Sequence, residues 1–161
     1  MAQRYSGLPP MSSWRQAALS RITNDKMRVG PWVGKKAFLQ FTPDASEALG
    51  LERAGEIVAG VIYTGWNGRS IVCHVAVEGL MTPAYLAAIF HYPFVHCGAQ
   101  KIIAPVSEAN AESARFVRKL GFSEEARIAD AHPDGALVMY TMGRAACRFI
   151  GERYAKRLKV A

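Results

Sequence analysis

Residues 101–122 read KIIAPVSEANAESARFVRKLGF, and this stretch decides how the rest of the chain is arranged. Lys101 to Val106 is a short run rich in β-formers, of strand type. From Asn110 to Leu120 the period changes to that of a helix. At 100° per residue, Ala114, Phe116, Val117 and Leu120 share one side, while Ala111, Glu112, Arg115, Arg118 and Lys119 share the other. Gly121 then stands where helices commonly end in a left-handed residue. Asn110 and Ser113 lie on the apolar side. Asparagine is a good N-cap, and a serine hydroxyl can bond back to the carbonyl one turn earlier, so each has a local explanation beside any functional one.

Upstream, Thr82-Pro83 pairs a capping hydroxyl with a proline suited to the first helical turn. Leu86, Ile89, Phe90 and Phe94 follow at helical spacing, and Pro93 should bend or end that helix before Gly98. Ser70–Val77 reads as a strand, so strand, helix and strand imply a right-handed parallel crossover from 70–77 to 101–106. Two further strands, 48–52 and 56–64, precede it, joined through Arg53-Ala54-Gly55 and through Trp66-Asn67-Gly68-Arg69, whose Asn-Gly is a strong hairpin signal. Downstream, 122–131 and 136–142 form a hairpin around His132-Pro133-Asp134-Gly135. The fold class is therefore α/β (α+β): an antiparallel meander, a βαβ crossover, a helix, a closing β-hairpin and a basic C-terminal helix. One domain spans 1–161, with an arm and a helix near 12–24 in 1–47, a core over 48–142 and the basic helix over 143–161. Residues 27–47 are punctuated by Gly30-Pro31, Gly34 and Pro43, with one short strand expected at 37–41.

Composition narrows the function classes. The chain of 161 residues is half apolar and one-fifth charged, with a net charge of +7. Residues 1–28 hold five basic groups against one acidic, and 144–161 hold six against one, so the middle is near neutral. Such basic ends suit a solvated periphery first and nucleic acid second, since no RNP-like or zinc-finger pattern accompanies them. Cys73, Cys97 and Cys147 are odd in number and form no CxxC pair, which fits a reducing compartment. No apolar signal core follows the N-terminus, so a cytoplasmic location is expected. Residues 79–100 carry no Lys, Arg, Asp or Glu, yet two prolines and two histidines mark them as a buried helix, not a membrane span. No G-x-G-x-x-G or Walker sequence is present, and His91 and His96 are spaced unlike metal ligands.

The segment from Val106 to Phe122 resembles the strand–helix segment of the GNAT N-acetyltransferases, through Asn110, Ser113 and the closing Leu120-Gly121-Phe122. The likeness covers about residues 48–150. It is nearest to a small phage-type branch, through Tyr92-Pro93-Phe94 and Cys147-Arg148-Phe149, with some similarity to the acetyltransferases of ribosomal-protein N-termini at Ser113. The resemblance implies acetyl transfer from acetyl-CoA, a co-substrate, to an amine-bearing small molecule or protein, by direct attack in a ternary complex. It implies that the strands at 70–77 and 101–106 splay apart. The pantetheine arm would pair with backbone around Val75, Ala76, Val77 and Glu78, and the pyrophosphate would sit on amides of Gly79, Leu80, Met81 and Thr82, with Asn110, Ser113 and Val117 lining the cofactor from the next helix. Glu78-Gly79-Leu80-Met81-Thr82-Pro83 is shorter than the family's glycine-rich loop and lacks its arginine. Val117 stands where many members carry a tyrosine acid.

His74 and Glu78 are the candidate bases, four apart on or just after one strand and so facing the same side. Histidine has the better ordinary pKa, near 6.5. Ser113 is the candidate for positioning or protonating the departing sulfur. Cys73 neighbours His74, points to the opposite face and reads as core. Two other readings remain open: a catalytically silent acyl-CoA-fold interaction module, and a basic nucleic-acid-binding protein. Homodimerisation, common in the family, is left open too.

Overall fold

The meander is built as the turn chemistry dictates. In the computed structural model, which describes Leu8 and residues 20–159, β2 (Glu47–Arg53), β3 (Glu56–Thr64) and β4 (Ser70–Val77) pair antiparallel in sequence. Ala54 and Gly55 both take positive φ, 50° and 82°, the geometry that matches strand twist across a two-residue turn. The second connection is longer. Gly65 and Gly68 both take positive φ there, 61° and 85°, while Asn67 braces the loop by accepting hydrogen bonds from the Arg69 and Ser70 amides at 2.9 and 2.8 Å.

Beyond β4 the Thr82 hydroxyl caps α2 (Pro83–His91), accepting from the Tyr85 amide at 3.1 Å. Pro93 has no amide to continue the helix, and the chain widens into a π-turn over Tyr92–His96. Then come β5 (Lys101–Ser107), α3 (Ala111–Leu120), β6 (Ser123–His132) and β7 (Gly135–Gly143). Asn110 caps α3 by accepting from the Ser113 amide at 3.0 Å, and Gly121 ends it at φ 108°. The described sheet has the order β1-β2-β3-β4-β5-β7-β6, with only β4 and β5 parallel. No described helix is long and apolar enough to cross a membrane. Instead Tyr85, Phe90, Tyr92 and Phe94, from the charge-free stretch, lie in the main core.

Three expectations are corrected. The helix near 12–24 lies mostly outside the described residues, and its described end is a strand: Arg21–Thr23 form β1, with Ile22 opposite Leu51 on β2. Second, 37–41 is not a strand. Ala37 ends α1 (Lys26–Ala37), Phe38 takes a left-handed φ of 54°, and Leu39 and Phe41 pack back against α1. Gly30, Pro31 and Gly34 do not break this helix; the two glycines lie on its buried side, where they allow close packing, and Pro31 is exposed. A Cβ on Gly30 would lie 2.4 Å from the Phe41 ring. Third, the C-terminal helix is shorter than expected. Two 3-10 turns occupy 144–150, where Phe149 is buried and stacks on Phe90 at 4.7 Å, and only Glu152–Lys159 form α4.

Two layers of helix thus flank the sheet. Val29 and Val33 of α1 press onto Gly50 and Gly60, and with Ala48, Ile57 and Ile62 form a small core on one face. The larger core lies on the other face beneath α2, α3 and α4. Gly60 sets how closely α1 approaches, since a Cβ there would meet Val33 at 2.5 Å. Gly60→Ala should therefore cost about 1–3 kcal/mol by overpacking. The check is chemical denaturation: a lower midpoint is expected, with an unchanged m-value.

Candidate active site

The parallel ladder stops early. β4 and β5 pair only at Ser70–Lys101, Ile71–Ile102 and Val72–Ile103, although β4 runs on to Val77 and β5 to Ser107. Past those pairs each strand is bonded only to its outer neighbour, β4 to β3 and β5 to β7. In an antiparallel ladder both backbone groups of a residue point the same way, alternating along the strand. Two bonds fix the phase: the Glu78 amide donates to the Val58 carbonyl at 2.8 Å, and the Glu108 amide to the Ala136 carbonyl at 3.0 Å. Even-numbered residues of both strands therefore face outward. Val75 and Val77 on one side, and Pro105 on the other, face the gap.

Pro105 is the residue whose meaning the sequence reading missed. Proline in a paired central strand would forfeit a ladder bond, but at this position there is no partner strand to receive one. A proline inside an otherwise regular strand was the available signal that one side of that strand is open.

At the end of β4 the expected cofactor loop divides. The Gly79 amide, like that of Glu78, is turned to the Val58 carbonyl, at 3.1 Å, so Gly79 does not offer the donor expected of it. The backbone of Ala76 also faces β3 by the same alternation. The amides of Leu80, Met81, Thr82 and Ala84 donate to no described protein group, and they sit at the positive end of α2. The arginine absent from the local sequence arrives from elsewhere: Arg53, ending β2, donates from Nη2 to the Leu80 carbonyl. A cation thus stands beside the open amides. Nothing near residue 79 in sequence could have revealed it.

The side chains divide by face. His74 is half-buried on the α1 face, and burial holds its imidazole below the usual histidine range, so it is neutral at neutral pH. Glu78 shares that face, but its carboxylate is ion-paired with the Lys36 ammonium, which also lies 4.7 Å from the centre of the Trp32 ring. On the opposite face, Cys73, Val75, Ala104 and Val117 enclose part of an apolar cavity of about 20 Å³. The Cys73 thiol, pushed up to about 12 by burial, stays protonated and belongs to the core as expected. Ser113 is half-buried one turn before Val117, whereas Asn110 is exposed and spent on its cap. His74 and Ser113 therefore lie on opposite sides of the sheet, with the gap between them. Among the described residues no His, Cys, Asp and Glu cluster could hold a metal.

No protein-family model matches the sequence, and no curated protein matches it. Solved structures do. A chimera of Vibrio cholerae spermidine N-acetyltransferase SpeG with hSSAT superposes with a TM-score of 0.65 at 11% identity, over 83% of this chain and all of the other. yncA of Salmonella typhimurium, a putative acetyltransferase solved with acetyl-CoA, gives 0.59 at 15%, over 84% and 96%. Vibrio cholerae spermidine N-acetyltransferase in complex with CoA and spermine gives 0.57 at 15%, over 75% and 76%. The fold is that of the GNAT acetyltransferases.

Two further features border the gap and its loop: Pro105 on the inner edge of β5, and Arg53 reaching the loop from β2. Pro105→Val adds an amide that points into the gap with no strand to receive it, at a cost of about 1–3 kcal/mol. Thermal unfolding, followed by circular dichroism, should then shift downward; an upward shift would mean that the strands close on that amide.

Proposed function

We propose that this chain is an acetyl-CoA-dependent N-acetyltransferase, cytoplasmic in keeping with its three free cysteines. The observation that carries the proposal is the gap between β4 and β5, edged by the unpaired backbone of Val75 and Val77 and ending at the open amides of Leu80, Met81 and Thr82. An extended amide-containing arm can complete the ladder at Val75 and Val77. A pyrophosphate suits the α2 terminus, where free donors, the helix dipole and Arg53 converge. Ser113 and Val117 would flank the arm from α3.

In the proposed reaction, an amine on the α1 face gives up a proton to the neutral imidazole of His74. Its lone pair attacks the thioester carbonyl, the carbon–nitrogen bond forms, and the carbon–sulfur bond breaks. The inward-facing amide of Val75 or Val77 supplies the donor for the developing oxyanion. Ser113 is placed for the departing sulfur, which, with a thiol pKa of about 8.5, needs only weak acid assistance. Glu78, held by Lys36, ties α1 to β4, which favours His74 over it as the base.

Two of the structural neighbours are named for spermidine. Here the carboxylates on the α1 face are occupied, Glu78 by Lys36 and Glu125 by Lys101 at 2.7 Å. Beside His74, Ile103, Pro105, Leu137 and Met139 are half-buried on a part of the sheet that α1 does not cover. This lining supports an acceptor amine carried on an uncharged, apolar group over a polyamine.

Thiol release from acetyl-CoA, followed across apolar amines, peptides and polyamines, tests the proposal. Apolar amines should turn over faster than spermidine; absence of both thiol release and cofactor binding would exclude an enzyme. His74→Gln should lower kcat/KM by about 10²-fold. Because burial lowers its pKa, His74 remains a base below pH 6.5, and the rate should fall only on further acidification. The sign for stability is the same. The unfolded chain takes up this proton first, so stability is full above about pH 6.5 and lost as the pH drops through the lowered folded value. Thermal unfolding of His74→Gln should lose that component of the pH dependence.

A further inference from the structure

The outer side of α3, away from the gap, carries a feature that acetyl transfer does not use. A groove of about 560 Å³ runs between α3 and the β6–β7 hairpin, with Arg115, Arg118, Lys119 and Arg127 on its walls. The middle of the chain, residues 29–143, carries no excess of positive charge, so the fold itself gathers these cations.

Their partners are unequal. Arg127 is spent internally, donating to Glu108 at 2.9 Å and to Glu124 at 3.2 Å, and Glu108 also accepts from the Ala136 amide. Arg118 lies over the Tyr140 ring, 5.2 Å from its centre, and only 4.0 Å from Glu124. Arg115 and Lys119 take no carboxylate among the described residues. Nearby, Arg148 donates to the Lys119 carbonyl at 2.8 Å. The negative end of α3 accounts for Lys119 and Arg148, since cations favour a helix C-terminus. It does not account for Arg115, which sits mid-helix four residues before Lys119, where like charges repel.

We infer that this groove docks an acidic segment of a partner polypeptide, its carboxylates meeting Arg115, Arg118 and Lys119. A nucleic-acid backbone fits less well. It bears one negative charge at every step, and Glu108 stands on the groove wall beside Arg127. An acidic peptide spaces its carboxylates with neutral residues, so it can meet the cations while keeping clear of Glu108. Arginine close to a buried tyrosine ring is also the composition of protein-binding surfaces. This inference does not depend on acetyl transfer.

The test is fluorescence anisotropy with the full chain and three fluorescein-labelled probes: a ten-residue peptide of glutamates separated by alanines, a glycine–serine peptide of equal length, and a single-stranded oligonucleotide. The acidic peptide should bind more tightly than the others. R115E/K119E should weaken it by about tenfold or more, and R115Q/K119Q by less. The control K156E/R157E, on α4, should leave it unchanged, and circular dichroism should show all variants folded. The inference is overturned by equal binding to wild type and R115E/K119E, by an equal loss in the α4 control, by tighter binding of the oligonucleotide, or by no binding of the acidic peptide.

Discussion

Backbone hydrogen bonding left unmade between two neighbouring strands is the constraint on which the rest depends. A buried amide or carbonyl without a partner costs about 1–3 kcal/mol, so a parallel pair that stops after three residues must either be wet or be meant for a ligand. The chain makes the gap tolerable in two ways. Each strand is fully paired on its outer side, β4 with β3 and β5 with β7 down to Ser107–Leu137. In addition, Pro105 removes one donor that would otherwise face empty space. The gap is therefore a stable feature of the sheet and not a frayed end.

The alternation of a strand then sorts the chemistry. Cys73 and His74 are adjacent, yet one thiol is sealed beneath α2 and α3 while the imidazole opens towards the α1 face. The same alternation sends the Glu78 and Gly79 amides to β3 and leaves the inward groups of Val75 and Val77 exposed to the gap. A molecule bridging the strands would thus have a proton acceptor on one face and an apolar wall, formed by Val75, Ala104 and Val117, on the other. Direct transfer suits this separation better than a covalent route through Cys73, whose thiol is too weakly acidic to act as a nucleophile.

What could be read from sequence was local. The meander, the Thr82 and Asn110 caps, the Gly121 stop and the closing hairpin each rest on a few adjacent residues whose preferences agree. What could not be read depended on distant partners. Gly30 and Gly34 look like helix breakers until Phe41 and the Leu39 carbonyl are seen to lie where their side chains would be. Glu78 reads as a free base until Lys36, on an unexpected helix, takes its carboxylate. Arg53 belongs to a hairpin turn in sequence and stands beside the open amides of the 80–82 loop only in space. Pro105 is different, because its signal was present and local; only its consequence required the neighbouring strand.

The position of Val117 can be argued one step further. A tyrosine there would need space for a ring, and the cavity beside Val117 holds only about 20 Å³. The two phenols nearest that core, Tyr63 and Tyr85, already donate to the Ile89 and Leu49 carbonyls, and burial raises both above the ordinary tyrosine range. Neither is free to protonate a sulfur. A thiolate leaving group of pKa about 8.5 is stable enough to depart with help from water or a single hydroxyl. Ser113, half-buried on the same ridge of α3 with its amide held by Asn110, is the hydroxyl that the proposed reaction would use. In that reaction the modest demand for acid and the small space at residue 117 are consistent with each other.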